Sequence, residues 1–391
     1  MPLEFIARRY DTGALARVEI AGDRVVRLHP LAAEHSAAAP SNRFPWVAPG
    51  FVDVQVNGWN GQEFSSEELT PEKVAKVTRE HDPFGVTGYC PTLTTQSYEC
   101  LAHGLAAIHL ACETMPEVRD RVVGIHLEGP FFSTEDGPRG AHPKEHCRRP
   151  DWDAFRRLQD AAGGRIKILT MSVEFDESAD FIALVAATGV TVAIGHTGAD
   201  SAHIRSAVDA GARMSTHLGN GAHRMLRRHP NYLWDQLAED RLTASLIVDG
   251  HHLPAEVVKS MVRAKTPERV VLVSDVSGLA GLPPGRYTTS GCELEILSDG
   301  RLVIAGQDQL LAGASLPIFH GVANVMRFAG VDLRTAVEMA STRPAALLGV
   351  RAGGLNPGDR ADLVLFDFDE ATKDLRIRTT IVGGARIFEA Q

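Results

Sequence analysis

The 391-residue sequence predicts a (β/α)₈ TIM barrel joined to a small β-sandwich domain formed from both chain termini. Three observations predict it. Eight apolar runs of strand length recur along the middle of the chain, helical stretches separate most of them, and strand-like segments bounded by turn residues lie outside this alternation at either end. The expected boundaries are residues 49–344 for the barrel and residues 1–48 with 345–391 for the sandwich.

In chain order, Leu15–Ile20 and Arg24–Leu28 flank the turn-forming Ala21-Gly22-Asp23, as in a β-hairpin. The loose Ala-, Ser- and Pro-rich stretch Leu31–Pro45 marks a boundary. The barrel strands are expected at Phe51–Val56, Val86–Leu93, Val122–Leu127, Ile166–Val173, Val190–Ile194, Arg213–Leu218, Thr243–Val248 and Val270–Ser274. Helices are expected at Pro71–His81, Trp152–Ala161, Ala179–Ala187, Ala202–Ala210 and Pro254–Ala264. The first of these opens with Thr70-Pro71, a capping residue followed by proline at the first helical position. Helices Leu316–Phe328 and Leu333–Met339 follow, and Asp362–Phe366 is again strand-like after the turn residues Asn356-Pro357-Gly358-Asp359. Strands at both ends of the chain are most simply used in one joint β-domain.

Composition narrows the function classes. A hydrophobic fraction of 44% and a charged fraction of 23% are ordinary for a globular protein able to bury a large core. The formal net charge of -9 argues against a general nucleic-acid binder, because phosphate backbones select basic surfaces. Five scattered cysteines, Cys90, Cys100, Cys112, Cys147 and Cys292, form no Cys-x-x-Cys pair, which fits a reducing compartment and gives no thiolate metal site. Met1 to Tyr10 lacks the apolar stretch of a signal peptide, and no segment reads as a membrane span. The expected location is the cytoplasm.

Reactive residues of a TIM barrel sit at the C-terminal ends of its strands. Those ends carry Asp53 and Gln55 on the first strand, Glu128 after the third and His196 after the fifth. His217 ends the sixth, His252 lies past the seventh and Asp275 closes the eighth. A carboxylate with two imidazoles suits zinc or a similar divalent ion, with positions left for water and substrate. Such an ion brings the pKa of a bound water to roughly 7, and a carboxylate such as Asp275 is then needed to carry the proton to a leaving group. Each residue alone has a plainer explanation: a strand-end histidine is often structural, and Glu128 or Asp275 could cap a loop or a helix. The joint occurrence at separate strand ends is the signal. Lys167, near the start of the fourth strand, is at the wrong end of the barrel to bridge two metals and reads as structural. His103 and His109, in a helical stretch, read the same way.

His126-Leu127-Glu128-Gly129-Pro130-Phe131, Gly195-His196-Thr197, Thr216-His217-Leu218, Asp249-Gly250-His251-His252 and Ser274-Asp275 occur in an order that resembles the N-acetylglucosamine-6-phosphate deacetylases of the amidohydrolase superfamily. Pro49-Gly50-Phe51-Val52-Asp53, Leu311-Ala312-Gly313-Ala314 and the segment from Gly354 to Leu363 extend the resemblance to nearly the whole chain. The resemblance implies that Glu128, His196 and His217 bind one divalent metal, zinc first, with Fe²⁺, Co²⁺ or Mn²⁺ also suited to the set. It implies Asp275 as acid/base and His142 as a group polarising the amide carbonyl. Asn220, Gly221 and His252 fall at substrate-binding positions. Arg228 falls near a phosphate-contacting arginine that can serve the neighbouring subunit's site of a homodimer. Glu174 matches a position without an assigned role. Asp53 and Gln55 replace the His-x-His of binuclear relatives, so one tightly held metal is expected.

The resemblance weakens after His217-Leu218, where an aromatic–Asn–Ala–Met sequence is usual and this chain has Gly219-Asn220-Gly221-Ala222. The following His223, Arg224, Arg227, Arg228 and His229 read equally as an anion pocket for a sugar phosphate or as a solvated or subunit-contacting loop. Three functions follow: a deacetylase of N-acetylglucosamine-6-phosphate; the same chemistry on another N-acyl amino sugar, an N-acyl amino acid or a cyclic amide; and a non-catalytic sugar-binding barrel.

Overall fold

The computed structural model describes residues 3–31, 44–289, 292–350 and 352–391; most of the Leu31–Pro45 boundary stretch lies outside them. The eight expected strands are present at Phe51–Val56, Val86–Thr94, Ile125–Glu128, Ile166–Met171, Thr191–Ile194, Met214–Ser215, Thr243–Ile247 and Val270–Val273. Each pairs in parallel with the next. The ring closes between the eighth and first strands through a Val56–Val276 bridge and an Asp275 N–H donated to the Gln55 carbonyl at 3.0 Å. The sixth strand is shorter than expected because Thr216, His217 and Leu218 turn out of the sheet, with His217 at φ 28°.

Helices pack around the ring. Trp152–Ala161 and Leu333–Met339 have the expected limits, and Pro71–Glu80 starts as foreseen, with the Thr70 side chain accepting from the Lys73 N–H. His103 and His109 lie in the helix Tyr98–Thr114. Leu127, Leu169, Val192, Leu246 and Leu272 of the strands form one buried layer with Leu105, Ile108, Phe155 and Ile182 of the helices. A second apolar cluster, with Ile168, Ala193, Met214, Val271 and Val273, underlies the polar strand ends. Close packing on both sides of each strand leaves the C-terminal strand ends as the place where polar side chains can gather.

The expected small β-sandwich is one continuous seven-stranded sheet contributed by both chain ends. Its order is Ala385–Glu389, Leu375–Val382, Leu363–Phe368, Trp46–Pro49, Leu3–Arg9, Leu15–Ala21 and Arg24–Pro30. It curls until its N-terminal hairpin meets the segment before Leu363: the Val25 N–H donates to the Asp359 carbonyl at 3.0 Å and the Ala361 N–H to the Asp23 carbonyl at 2.8 Å. Val18, Ile20, Val25, Val47, Leu363 and Ile381 form the core inside the curl.

A four-stranded antiparallel sheet that the sequence reading did not foresee lies between the eighth strand and the helix Ile318–Ala329. It is made of Gly285–Thr289, Cys292–Ile296, Leu302–Ile304 and Gln307–Leu311. Leu294, Ile296 and Leu302 pack with Leu279 beneath it.

Candidate active site and metal centre

A cavity of about 620 Å³ opens at the C-terminal ends of the barrel strands, a size that accepts ligands of drug-like dimensions. Glu128, His142, His196, His217, Asn220, Gly221, His252 and Asp275 all line it. Arg228 does not. It lies on the exposed outer part of the loop, and Arg224 is the arginine of that loop on the cavity wall.

Glu128, His196 and His217 converge. Glu128 Oε1 lies 2.9 Å from His217 Nε2 and 3.3 Å from His196 Nε2, and the two imidazole nitrogens are 3.2 Å apart. Neighbouring ligands around a tetrahedral ion at bond lengths of about 2.0–2.2 Å stand roughly 3.3–3.6 Å apart, so a shift of a few tenths of an ångström admits a cation. The donor chemistry fits as well. His196 Nδ1 donates to the Pro138 carbonyl at 2.8 Å, which turns its Nε2, the atom a metal would take, toward the cluster. Burial opposes ionisation of Glu128, yet hydrogen bonds and charge from His196 and His217 hold its carboxyl well below the usual range. A carboxylate and imidazole nitrogens thus face one point, as a divalent ion requires. Asp53 does not join them: its Oδ1 accepts from the N–H groups of Ser274 at 3.1 Å and Gln55 at 3.3 Å. Gln55 instead donates its amide to Glu128 Oε1 at 3.2 Å.

Backbone geometry marks the same residues. Six non-glycine residues among those described have positive φ, and three of them are His196 at 51°, His217 at 28° and Asp275 at 54°. The left-handed region costs an ordinary side chain about 1–3 kcal/mol. Its use at three strand ends aims these side chains across the barrel mouth. Ser172 Oγ donates to the His196 carbonyl at 2.6 Å, and the His217 N–H donates to Ser245 Oγ at 2.7 Å, holding the bent segments.

Asp275 is electrostatically unlike Glu128. Burial, then the charge of Glu128, pushes its carboxyl up to about 6, against the lowering effects of His217 and of Asn57. Asn57 Nδ2 donates to Asp275 Oδ1 at 2.8 Å and leaves the other oxygen free of that contact. A buried carboxylate with a pKa near neutrality can take a proton and return it.

His142 Nε2 lies 3.3 Å from His196 Nε2, and its Nδ1 accepts the Thr95 N–H at 3.4 Å. The ring hydrogen therefore sits on Nε2, on the cavity side, and burial with the nearby His196 keeps the ring neutral. A neutral imidazole donor suits a carbonyl oxygen gaining charge. His252 is fixed by Asp249, whose Oδ2 is 2.7 Å from His252 Nδ1. Burial works against ionisation of Asp249, but His252 and two backbone N–H groups hold it at about 2. Gly221, at φ 53°, passes so close to His196 that a Cβ there would lie 2.7 Å from its ring. Lys167 contacts Gly124 at the far end of its strand, outside the cavity lining.

Sequence reasoning missed several supporting residues. Asn57 follows Asp53 and Gln55 at intervals of two, the strand repeat, which was a usable signal. Asp249 opens the Asp249-Gly250-His251-His252 segment, whose sequence pointed only to His252. Glu174, at the fourth strand end, accepts from Thr197 Oγ1 and from the Gly198 N–H at 3.1 Å, so it braces the loop behind His196. Leu294, Ile304 and Leu311 of the four-stranded sheet, with Arg301 from the turn between its second and third strands, reach the cavity wall.

A closed barrel with a trio that could hold a metal ion and a separate buried carboxylate of raised pKa at its strand ends has the build of a metal-assisted hydrolase. Residues 46–387 match the Amidohydrolase family. The chain is 34% identical to N-acetylglucosamine-6-phosphate deacetylase from Bos taurus, over 97% of this chain and 93% of that one. It is 31% identical to N-acetylgalactosamine-6-phosphate deacetylase from Escherichia coli, over 82% and 83%. Among solved structures, N-acetyl-D-glucosamine-6-phosphate deacetylase from Mycobacterium smegmatis superposes with a TM-score of 0.86 at 30% identity, covering 99% of this chain and all of that one. The chain belongs to the amidohydrolase family, in the branch of the N-acetylglucosamine-6-phosphate deacetylases.

Proposed function

We propose that the chain hydrolyses the acetamide of N-acetylglucosamine-6-phosphate, releasing acetate and glucosamine-6-phosphate. In this reading Glu128, His196 and His217 hold one divalent ion, zinc first, with Fe²⁺, Co²⁺ or Mn²⁺ as other fitting ions. The ion supplies Lewis acidity, polarising the amide carbonyl and acidifying a water. Asp275 takes the proton of the attacking water and passes it to the departing amine, so the C–N bond breaks with the nitrogen neutralised. His142 donates from Nε2 to the carbonyl oxygen as that oxygen gains charge. Asn220, Gly221 and His252 face the sugar.

Arg228, exposed on one chain, serves the phosphate in a neighbouring subunit's site of a homodimer. Residues 49–344 form the hydrolase unit, and residues 1–48 with 345–391 the small β-domain. The cytoplasm is the assigned location; among the described residues no helix is long and apolar enough to cross a membrane.

The observation that carries this reading is the meeting, in one cavity, of the trio with an elevated Asp275 pinned by Asn57. The test is acetate release from N-acetylated sugars with and without a 6-phosphate. The expected result is turnover of N-acetylglucosamine-6-phosphate well above its unphosphorylated form.

The second reading keeps the chemistry and changes the N-acyl substrate: another N-acyl amino sugar, an N-acyl amino acid or a cyclic amide. Gly219 favours it. At φ 100° a Cβ there would meet Leu253 and Met261 at 3.0 Å, so an aromatic residue does not fit this loop path. The galactosamine-phosphate relative points the same way. Equal rates with and without the phosphate, or a preference for the galacto sugar, would select this reading.

A further inference from the structure

We infer that His223 is a positioning residue, a latch that ties the loop carrying His142 to the loop carrying Asn220 and Gly221. The claim rests on the proposed amide hydrolysis for its catalytic meaning, but its geometry stands independently.

The two loops leave different strands. One follows the third strand and runs from Ser133 to His142; the other follows the sixth and runs from Gly219 to His223. Gly140 of the first and Gly221 of the second press on the His196 ring, with added Cβ atoms lying 3.4 and 2.7 Å from it. Any drift of either loop therefore changes the surroundings of a proposed metal ligand and the placement of His142 together.

His223 bridges them. Its Nε2 lies 2.9 Å from Glu135 Oε1 on the third-strand loop. Its Nδ1 lies 3.0 Å from the Tyr232 hydroxyl, which also accepts the His223 backbone N–H at 2.8 Å. A carboxylate oxygen only accepts, so Nε2 carries a hydrogen and donates it to Glu135. The latch thus closes on both ring nitrogens, one toward each loop partner.

Packing fixes the ring as well. A Cβ on Gly137 would stand 3.0 Å from the His223 Cα, and one on Gly198 would stand 3.1 Å from its Cε1. Three loops meet at this one side chain. Gly198 is itself held by Glu174, which extends the contact to the fourth strand.

The contributions are unequal. Glu135 is 60% exposed, and exposed ion pairs contribute little. Tyr232 is 5% exposed and anchors the inner side. The expected order of effect is thus His223→Ala, then Tyr232→Phe, then Glu135→Gln.

The experiment joins hydrogen exchange to kinetics on the full-length, metal-loaded enzyme, using whichever N-acetylated sugar the parent turns over. In His223→Ala, amides of both Gly137–His142 and Gly219–Ala222 should exchange at least tenfold faster while the barrel strands stay unchanged and the metal content is retained. The kcat/KM should fall by tenfold or more, chiefly through KM, and His223→Gln should recover part of the loss. Gly198→Ala, whose Cβ crowds the ring without a positive-φ penalty, should reproduce the double loop release more weakly. Unchanged exchange at Gly137–His142 in His223→Ala would overturn the latch whatever the substrate proves to be. Freed loops with kcat/KM within twofold of the parent would overturn its role in positioning. A failure of the substrate assignment instead appears in the parent enzyme and leaves the exchange result intact.

Discussion

Two sets of carboxylates share the barrel mouth and live in opposite electrostatic worlds. On the side of the third, fifth and sixth strands, Glu128 is flanked by imidazoles and held well below the usual carboxylate range. On the side of the first and eighth strands, burial dominates, and Asp275 and Asp53 are pushed up to about 6 and about 7. One side keeps a negative charge among imidazoles. The other is built so that a proton can come and go. Environments that pull the pKa values of neighbouring acids apart divide the chemical labour between them.

The contrast is broken most strongly by removing the charge on each side. Asp275→Asn should lower turnover about a thousandfold, the scale of lost general acid–base catalysis, while elemental analysis finds the metal still bound. Glu128→Gln should do the reverse in kind: metal content falls, and activity falls with it. An Asp275→Asn enzyme near parental rate would remove that residue from proton transfer.

Acidity sharpens the same comparison. Asp275 must be ionised to accept a proton, so kcat should rise with pH through the pKa of this residue. A cation in the trio stabilises the ionised form further, placing that limb at or below about pH 6. A pH–rate profile should show the limb in the parent enzyme and lose it in Asp275→Asn. Asn57→Ala, which frees the oxygen held at 2.8 Å, should reduce kcat roughly tenfold, the worth of a hydrogen bond to a charged group, with KM little changed.

Asp53 gives the smallest effect. Its buried carboxyl has a folded pKa of about 7 against 3.8 as an unperturbed group. Between these values the folded state holds a proton that the unfolded chain has released, so this residue makes stability fall as pH rises toward 7. Asp53→Asn keeps an acceptor for Ser274 and Gln55 and removes the titration. Thermal unfolding at pH 5 and pH 8 should show the gap between the two midpoints shrinking by roughly 2–4 °C.

The convergence of the trio was legible in the sequence because strand ends have a fixed relation to the barrel axis. An apolar run that stops at Glu128, His196 or His217 places that residue at the mouth whatever the loops do. Barrel strands and most helices were legible for the same reason, through apolar runs of characteristic length. The four-stranded sheet carried a signal that was passed over: Glu293-Leu294-Glu295-Ile296 alternates, and Asp299-Gly300 is a hairpin turn before Leu302-Val303-Ile304. Embedded in a run of βα units, it was absorbed into the space between the last strand and helix. The Glu135, His223 and Tyr232 contacts had no comparable signature. Partners on separate loops are chosen by how those loops happen to lie, and no local spacing encodes that.

The curled terminal sheet has a consequence for how the polypeptide assembles. Trp46–Pro49 pairs with Leu363–Phe368, across almost the whole length of the chain. During synthesis the segment leading into the first barrel strand waits with one edge bare until the far partner has left the ribosome. Contacts so distant in sequence form slowly, and a bare strand edge invites pairing with the wrong molecule in the interval. Loss of the last three strands would therefore be felt at the opposite end of the polypeptide, as poor yield and aggregation.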